Sequence, residues 1–232
     1  MITNQSKLDN PAWYALQETH RKLALYWSDS AFYRPEICAF GAARKATLAQ
    51  EGLTAYAQLE NPFFFIGEKP SLPPNVCLME EILCLQMLLE SPIVGDKPTN
   101  CILLSQPEQH RAVYDLIQQH QPGYFKQKTT QLGSYFGCFQ QGQLIASAGE
   151  RMKLKGFTEL SAIVTHPDYR RQGFSKQLIH HTTDTVFAAN SIPFLHVVHT
   201  NKTAINLYRT LGFRTRRKIS FWKLVPQQTI PF

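Results

Sequence analysis

The chain has 232 residues, a formal net charge of +7 at pH 7, and 44% hydrophobic and 18% charged residues. This is ordinary for a soluble globular protein with a sizeable core, in one large domain or two small ones. The basic balance favours anionic partners, but no long Lys/Arg block marks a nucleic-acid-binding arm.

The segment "MITNQSKLDNPAWYALQETHRK" lacks the apolar core of a signal peptide. Residues 1–60 read as mainly helical. In "PAWYALQETHRKLALYW", Trp13, Leu16, Leu23 and Trp27 recur at roughly helical spacing. "AARKATLAQEGLTAYAQL" is rich in good helix formers and ends at Asn61-Pro62. "PFFFIG" reads as a short buried strand. "VCLMEEILCLQMLLE" fits either a strand or a helix; Glu80, Glu81 and Gln86 make it too polar to span a bilayer. "SPIVGDKPTN" is a linker candidate, and we place a soft boundary near residues 91–100.

The second half has a clearer rhythm. "PEQHRAVYDLIQQHQ" reads as a helix with Pro107 in its first turn. "SYFGCFQQGQLIASAGERM" reads as a hairpin turning at Gln141-Gly142. A turn at Gly156 leads to a strand over about residues 157–165. Then come a helix in "SKQLIHHTTDTVFAAN", a strand in "PFLHVVHT", a helix in "KTAINLYRTLG" closed by Gly212, and a strand in "RKISFWKLV". Helix, three antiparallel strands, helix, strand, helix, strand is an α+β pattern with a mixed sheet.

The stretch "HPDYRRQGFS" carries the chemistry. Pro167 ends the strand because it cannot donate to a ladder. The loop then feeds a helix beginning near Phe174 or Ser175. A helix start has unpaired N–H groups and partial positive charge, so it suits an anion. Gly173 lets backbone approach a ligand, and Arg170 and Arg171 add charge. The stretch contains neither a P-loop nor a GxGxxG turn. A plain strand–loop–helix junction with surface arginines is the bland alternative.

The same stretch resembles motif A of the GNAT superfamily of CoA-dependent N-acyltransferases, [Q/R]-x-x-G-x-[G/A]. Arg170 and Gly173 match; Ser175 departs from the small third position but stays small. "NKTAINLYRTLGF" resembles motif B, N-x-x-A-x-x-x-Y-x-x-x-G-F, with Asn201, Ala204, Tyr208, Gly212 and Phe213 in order and spacing. The resemblance runs from about Ala112 to Val225, and its phrases look like the subfamily near the glycine N-acyltransferases. It implies a GNAT-type mixed, mainly antiparallel sheet flanked by helices over residues 96–232. Residues 1–95 then form an N-terminal lobe that resembles a degenerate acyltransferase.

Carried over residue by residue, the resemblance implies the following. Backbone groups of Ile163, Val164 and Thr165 pair with the pantetheine arm of acetyl-CoA. The loop and helix start at Arg170, Arg171, Gln172, Gly173, Phe174 and Ser175 hold its pyrophosphate, and Asn201 lies near the thioester. Tyr208 protonates or hydrogen-bonds the leaving thiolate. A phenol titrates near about 10 and a thiol near about 8.5, so a hydrogen bond stabilises the thiolate even without full transfer. Glu159, at the start of the same strand, is the candidate base for the attacking amine. Period-two alternation puts it on one face with Ser161, Ile163 and Thr165. Glu150 is second choice.

His196 and His199 alternate with Val197 and Val198 on a strand and read first as structural. His180 and His181 read as surface residues. Arg214, Arg216, Arg217 and Lys218 read as a solvated face. Five scattered cysteines without a CxxC pair give no zinc-type spacing and suit a reducing compartment. We therefore expect a cytoplasmic N-acetyltransferase without a metal, a monomer or dimer. It would transfer an acetyl group from acetyl-CoA to a small-molecule primary amine by direct attack in a ternary complex. A CoA-binding sensor on the same fold is the alternative; nucleic acid and membrane are not expected partners.

Overall fold

The computed structural model describes residues 5–95 and 101–227. The second half follows the expected order. Helix α3 spans Pro107–His120, with Pro107 at its start and a reciprocal cap between Gln106 and Gln109. Strands β7 (Tyr135–Gln140) and β8 (Gln143–Leu154) form the hairpin, turning through positive φ at Gln141 and Gly142. Strand β9 is Phe157–Thr165, helix α4 is Phe174–Ala188, strand β10 is Ile192–Val198, helix α5 is Lys202–Thr210 and strand β11 is Arg214–Pro226.

The first half corrects the helical expectation. Helix α1 stops at Gln17 (Pro11–Gln17), and helix α2 covers only Gln50–Tyr56. Strands β1 (Ala24–Trp27), β2 (Ser30–Tyr33) and β3 (Phe40–Ala43) lie between them, followed by β4 (Phe63–Gly67). Packing overrides the local period. Phe32 stacks on Tyr56 at 4.4 Å and meets Phe63 edge-on at 6.0 Å. Buried His20 faces the Tyr33 hydroxyl at 2.9 Å and the Leu132 carbonyl at 3.0 Å. These contacts turn the chain at His20 and favour aromatic-rich strands over a continued helix. The ambiguous apolar segment is one long strand, β5 (Val76–Leu88). A two-residue strand, β6 (Ile102–Leu103), pairs with β7 at the sheet edge.

Among the described residues, eleven strands form one sheet in the order β1-β2-β3-β4-β11-β5-β10-β9-β8-β7-β6. Only the β3/β4 and β9/β10 pairs are parallel. The pattern is nearly symmetric about the β11/β5 pair. On each side a parallel pair continues into an antiparallel run, β3-β2-β1 on one side and β9-β8-β7 on the other, with the short β6 added at the second edge. The last strand of each half has crossed over: β5 follows β4 in the chain but pairs with β10, and β11 follows β10 but pairs with β4. The boundary expected at residues 91–100 lies partly outside the described residues. Beyond it, β10 and β11 hydrogen-bond to β5, which precedes it. No described helix is long and apolar enough to cross a membrane.

Close backbone packing fixes one glycine in the first half. A Cβ on Gly41 would lie 2.0 Å from the Phe32 ring, which is itself held against Tyr56. Gly41→Ala is expected to cost about 1–3 kcal/mol through overpacking, read as a lowered denaturation midpoint with an unchanged m-value.

Candidate active site

Strands β9 and β10 pair from Phe157↔Ile192 to Leu160↔Leu195 and then part, although β9 runs on to Thr165 and β10 to Val198. A bulge drives the divergence. Between the pairs Gly149↔Ser161 and Ser147↔Val164, β9 carries one residue more than β8. Ala162 there has φ 54°, and its carbonyl accepts from the Ser147 hydroxyl at 3.1 Å. The expected alternation therefore breaks. Ser161, Ala162 and Ile163 all border the opening, while Glu159 lies below it.

The opening is a cavity of about 390 Å³. One wall is β9, from Leu160 to Ile163, and another is β10, from Leu195 to Val198. Asn201, Ala204 and Tyr208 of α5 close one side. The other side carries Phe40, Ile82, Cys84, Tyr124, Arg151 and Phe221. Sequence reasoning missed that second group. Period two along β5 puts Ile82 and Cys84 on one face, but only the crossed-over pairing brings that face to β10.

Tyr208 is buried at 8% exposure, and burial pushes its phenol up to about 12. It is a proton-bearing donor throughout the neutral range. Its hydroxyl has no hydrogen-bond partner among the described residues. The Asn201 side chain caps α5, accepting from the Ala204 amide at 3.1 Å. This cap aims the first turn of α5 at the cavity.

Beyond β9 the chain forms the expected loop. Gly173, at φ 86°, precedes α4 without any side-chain cap, so the amides of Phe174, Ser175 and Lys176 begin the helix without an intrahelical acceptor. Arg171 is also left-handed, at φ 61°. The loop is held from within. Arg170 Nε donates to the Thr165 carbonyl at 3.3 Å, Gln172 donates to the Asp168 carbonyl at 3.3 Å, and the Thr165 and Ser175 hydroxyls meet at 2.9 Å. Val164 is buried against α3 and does not border the cavity; Ile163 does.

Glu159 is fully buried and does not line the cavity. Arg151 grips it twice, Nε to Oε2 at 2.8 Å and Nη2 to Oε1 at 2.6 Å. His196 Nδ1 donates to Oε1 at 2.7 Å. Burial alone would raise the carboxyl, but the Arg151 charge and these hydrogen bonds hold it at about 2. A carboxylate so placed is a poor proton acceptor, so the expectation of Glu159 as base is corrected. His196 does border the cavity, but both ring nitrogens are engaged. Gln86 Nε2 donates to His196 Nε2 at 3.1 Å, and its orientation is fixed by the Leu8 carbonyl at 2.8 Å and by Arg216 at 3.0 Å. Glu150 is likewise committed, to the Ser134 amide at 2.9 Å and Lys153 at 2.8 Å. His180 is buried rather than on the surface, and His199 is exposed, bonded to the Leu83 carbonyl at 3.0 Å. Arg214, Arg217 and Lys218 are exposed, as expected of a solvated face, while half-buried Arg216 shares Asp9 with Arg217.

Comparison with known proteins agrees with this geometry. A family model described as FR47-like protein matches residues 135–222. A GNAT-family acetyltransferase structure from Novosphingobium aromaticivorans superposes with a TM-score of 0.87 at 26% identity, over 95% of this chain and 99% of that one. A GCN5-related N-acetyltransferase from Kribbella flavida gives 0.65 at 14% identity, over 96% of both chains. A GCN5-related N-acetyltransferase-like protein from Streptococcus suis gives 0.60 at 14%, over 94% and 96%. None of the curated proteins matches. The chain has the GNAT acetyltransferase fold, and the mixed, mainly antiparallel sheet expected from its sequence is present.

Acid should destabilise the fold in two stages. Burial lowers His20 to about 4, so its stabilising contribution is full above about 6.5 and is lost as pH falls towards 4. Glu159 contributes above about 4.5 and loses its contribution as pH falls towards 2. Stability measured by denaturant against pH should therefore decline below about 6.5, and His20→Asn should flatten the upper part of that decline. At neutral pH, Glu159→Gln leaves Arg151 buried without its counter-charge and is expected to cost about 3–5 kcal/mol.

Proposed function

We propose that this chain, built on the GNAT acetyltransferase fold, is an acetyl-CoA-dependent N-acyltransferase that acetylates a primary amine by direct attack in a ternary complex. One observation carries the reading. The cavity lies where β9 leaves β10, β9 leads on through its loop to a helix start without a side-chain cap, and Tyr208, with no hydrogen-bond partner among the described residues, stands in the cavity wall.

The residues present fit acetyl-CoA. The backbone at Ala162 and Ile163, which lies outside the register with both β8 and β10, suits an extended pantetheine arm laid along β9. The amides after Gly173, with Arg170 and Arg171 beside them, suit a pyrophosphate. When bound, acetyl-CoA supplies an activated carbonyl. The chain's own part is to orient it and to hold a proton at the Tyr208 oxygen, from which the departing sulfur receives a hydrogen bond. Asn201 fixes the turn that places Tyr208. Glu159 becomes a positioning residue that holds Arg151 and His196 at the cavity floor.

The attacking amine then loses its proton to water or arrives neutral, since the cavity's carboxylate and imidazole neighbours are engaged. That same feature favours the second reading, a CoA-binding sensor without turnover. The resemblance to the glycine N-acyltransferase neighbourhood and a cytoplasmic setting belong to this proposal. So does a division into an acyltransferase-like lobe at 1–95 and a catalytic domain at 96–232. The mirrored strand pattern supports two related lobes. In the first, α2 has only 7 residues, and β3 pairs with β4 at only two positions, which suits a lobe without a donor site.

Calorimetric titration with acetyl-CoA tests the cofactor reading, with ATP as control. Saturable binding is expected, and Gly173→Glu should weaken it by at least tenfold, because it adds bulk and negative charge at the cradle. Native affinity in the folded variant would remove the phosphate site. Tyr208→Phe should leave acetyl-CoA affinity nearly intact and slow turnover by about 10²-fold. For the active enzyme, log kcat/KM should rise with pH up to the pKa of the acceptor amine. A break near about 6.5, the ordinary value for histidine, would restore an enzyme base.

A further inference from the structure

The five cysteines are all free thiols, and two of them face each other. Strand β6 pairs with β7 at Ile102↔Gly137 and Leu103↔Phe136. Antiparallel register puts the next pair, Cys101 and Cys138, directly opposite. Their sulfurs are 3.6 Å apart and hydrogen-bonded to each other. Both side chains are buried, Cys101 at 9% exposure and Cys138 at 1%, so Cys101, just outside the end of β6, is the one a small reagent reaches first. Cys38 and Cys84 have no such neighbour among the described residues; both are buried, and burial pushes each thiol up to about 12. Cys77 is partly exposed, and its thiol donates to the Gln227 side chain.

We propose that Cys101 and Cys138 form a reversible cross-strand disulfide that fastens edge strand β6 to β7. Directly opposed cross-strand positions already satisfy the backbone separation a disulfide needs, and closing the gap to about 2.05 Å requires side-chain rotation and a small approach of the edge strand. The oxidant is a low-molecular-weight disulfide. Cys101 loses its thiol proton and attacks one sulfur of the reagent, forming a mixed disulfide and releasing one small thiolate. Cys138 loses its proton and attacks Cys101 Sγ, releasing the second. Two protein S–H bonds become one S–S bond, two electrons pass to the reagent, and two small thiols leave. The hydrogen bond between the two raises the Cys101 thiol and lowers that of Cys138, so access rather than acidity makes Cys101 the first to react, and Cys138 is the resolving partner because it lies directly opposite.

The position gives this bond a consequence. Cys101 and Cys138 belong to one apolar cluster with Phe136, Ile145 and Leu178, against which Ile163 and Phe174 pack. Ile163 borders the cavity and Phe174 opens α4, so the sulfurs sit behind both parts of the donor cradle. The proposal does not depend on the acyl-transfer reading, because the thiol pair exists whether or not the cavity turns over.

The test uses the full chain carrying Cys77→Ser, which removes the exposed thiol that would otherwise take up reagent. That protein is equilibrated in glutathione buffers of rising oxidised fraction, trapped with an alkylating agent in denaturant and weighed. The expected result is a loss of two hydrogens and a fall from four alkylatable thiols to two, reversed by dithiothreitol. Peptide mapping should link Cys101 to Cys138. Adding Cys138→Ser, or Cys101→Ser where the buried substitution impairs folding, should abolish the loss. Four free thiols in fully oxidised buffer, a stable glutathione adduct without the internal link, or a link between other cysteines would each overturn the proposal.

Discussion

The buried Glu159 carboxylate is the constraint on which the rest of this site depends. It sits one residue before the last β9/β10 pair, where the sheet begins to open. Arg151 reaches it from β8 and His196 from β10. Gln86 extends the chain of bonds to β5, and Arg216 carries it to β11 and Asp9. Five strands are thus tied at the level where two of them must separate. A sheet that loses backbone hydrogen bonds needs another source of order at that place. Here it is a polar network in which Glu159, His196 and Gln86 are all satisfied, while Arg151 keeps one donor without a partner among the described residues, at the cavity surface. A second bulge lets Arg151 join: between Glu150↔Leu160 and Lys153↔Thr158, β8 carries the extra residue. Phe40 and Phe221 flank the guanidinium at 4.8 and 6.0 Å and shield it from water.

The exchange of β5 and β11 explains why the cavity has two kinds of wall. One side, Leu160 to Ile163 with Asn201 and Tyr208, comes entirely from the second half of the chain. The facing side takes Phe40 from β3, Ile82 and Cys84 from β5, and Phe221 from β11. Because β5 lies between β11 and β10, residues before 95 form part of the floor rather than an appendage. The first half therefore shapes the cavity itself.

Those origins also decide what the sequence could reveal. The loop at Gly173, the cap at Asn201 and the placement of Tyr208 are local: each depends on a few neighbouring residues and on helix geometry, and each is legible. The hairpin at Gln141-Gly142 and the helix starting at Pro107 are legible for the same reason. The first 60 residues misled because Trp13, Leu16, Leu23 and Trp27 share a helical spacing that tertiary contacts of His20 and Phe32 override. Glu159 misled for a subtler reason. Alternation places it on the face of Ser161 and Ile163 only if β9 is regular, and the bulge at Ala162 breaks that phase. Its partners Arg151 and His196 lie 8 and 37 residues away along the chain, and no local pattern joins them.

The same network bears on how an amine could be deprotonated. A base must offer a lone pair to the cavity. Glu159 gives both oxygens to Arg151 and one also to His196; His196 gives its N–H to Glu159 and its lone pair to Gln86. Gln86 cannot turn its amide round, because Leu8 needs the donor end and Arg216 the acceptor end. The bond pattern is therefore locked from Asp9 to Arg151, and freeing one lone pair would unsatisfy several buried groups at once. Arg151 is the exception at the cavity surface: its Nη1 has no partner among the described residues. What the floor presents is thus a hydrogen-bond donor and aromatic faces. On the proposed reading, a floor of that kind would orient an acceptor and leave its proton to solvent, while the Tyr208 phenol would supply the proton from the α5 side of the cavity.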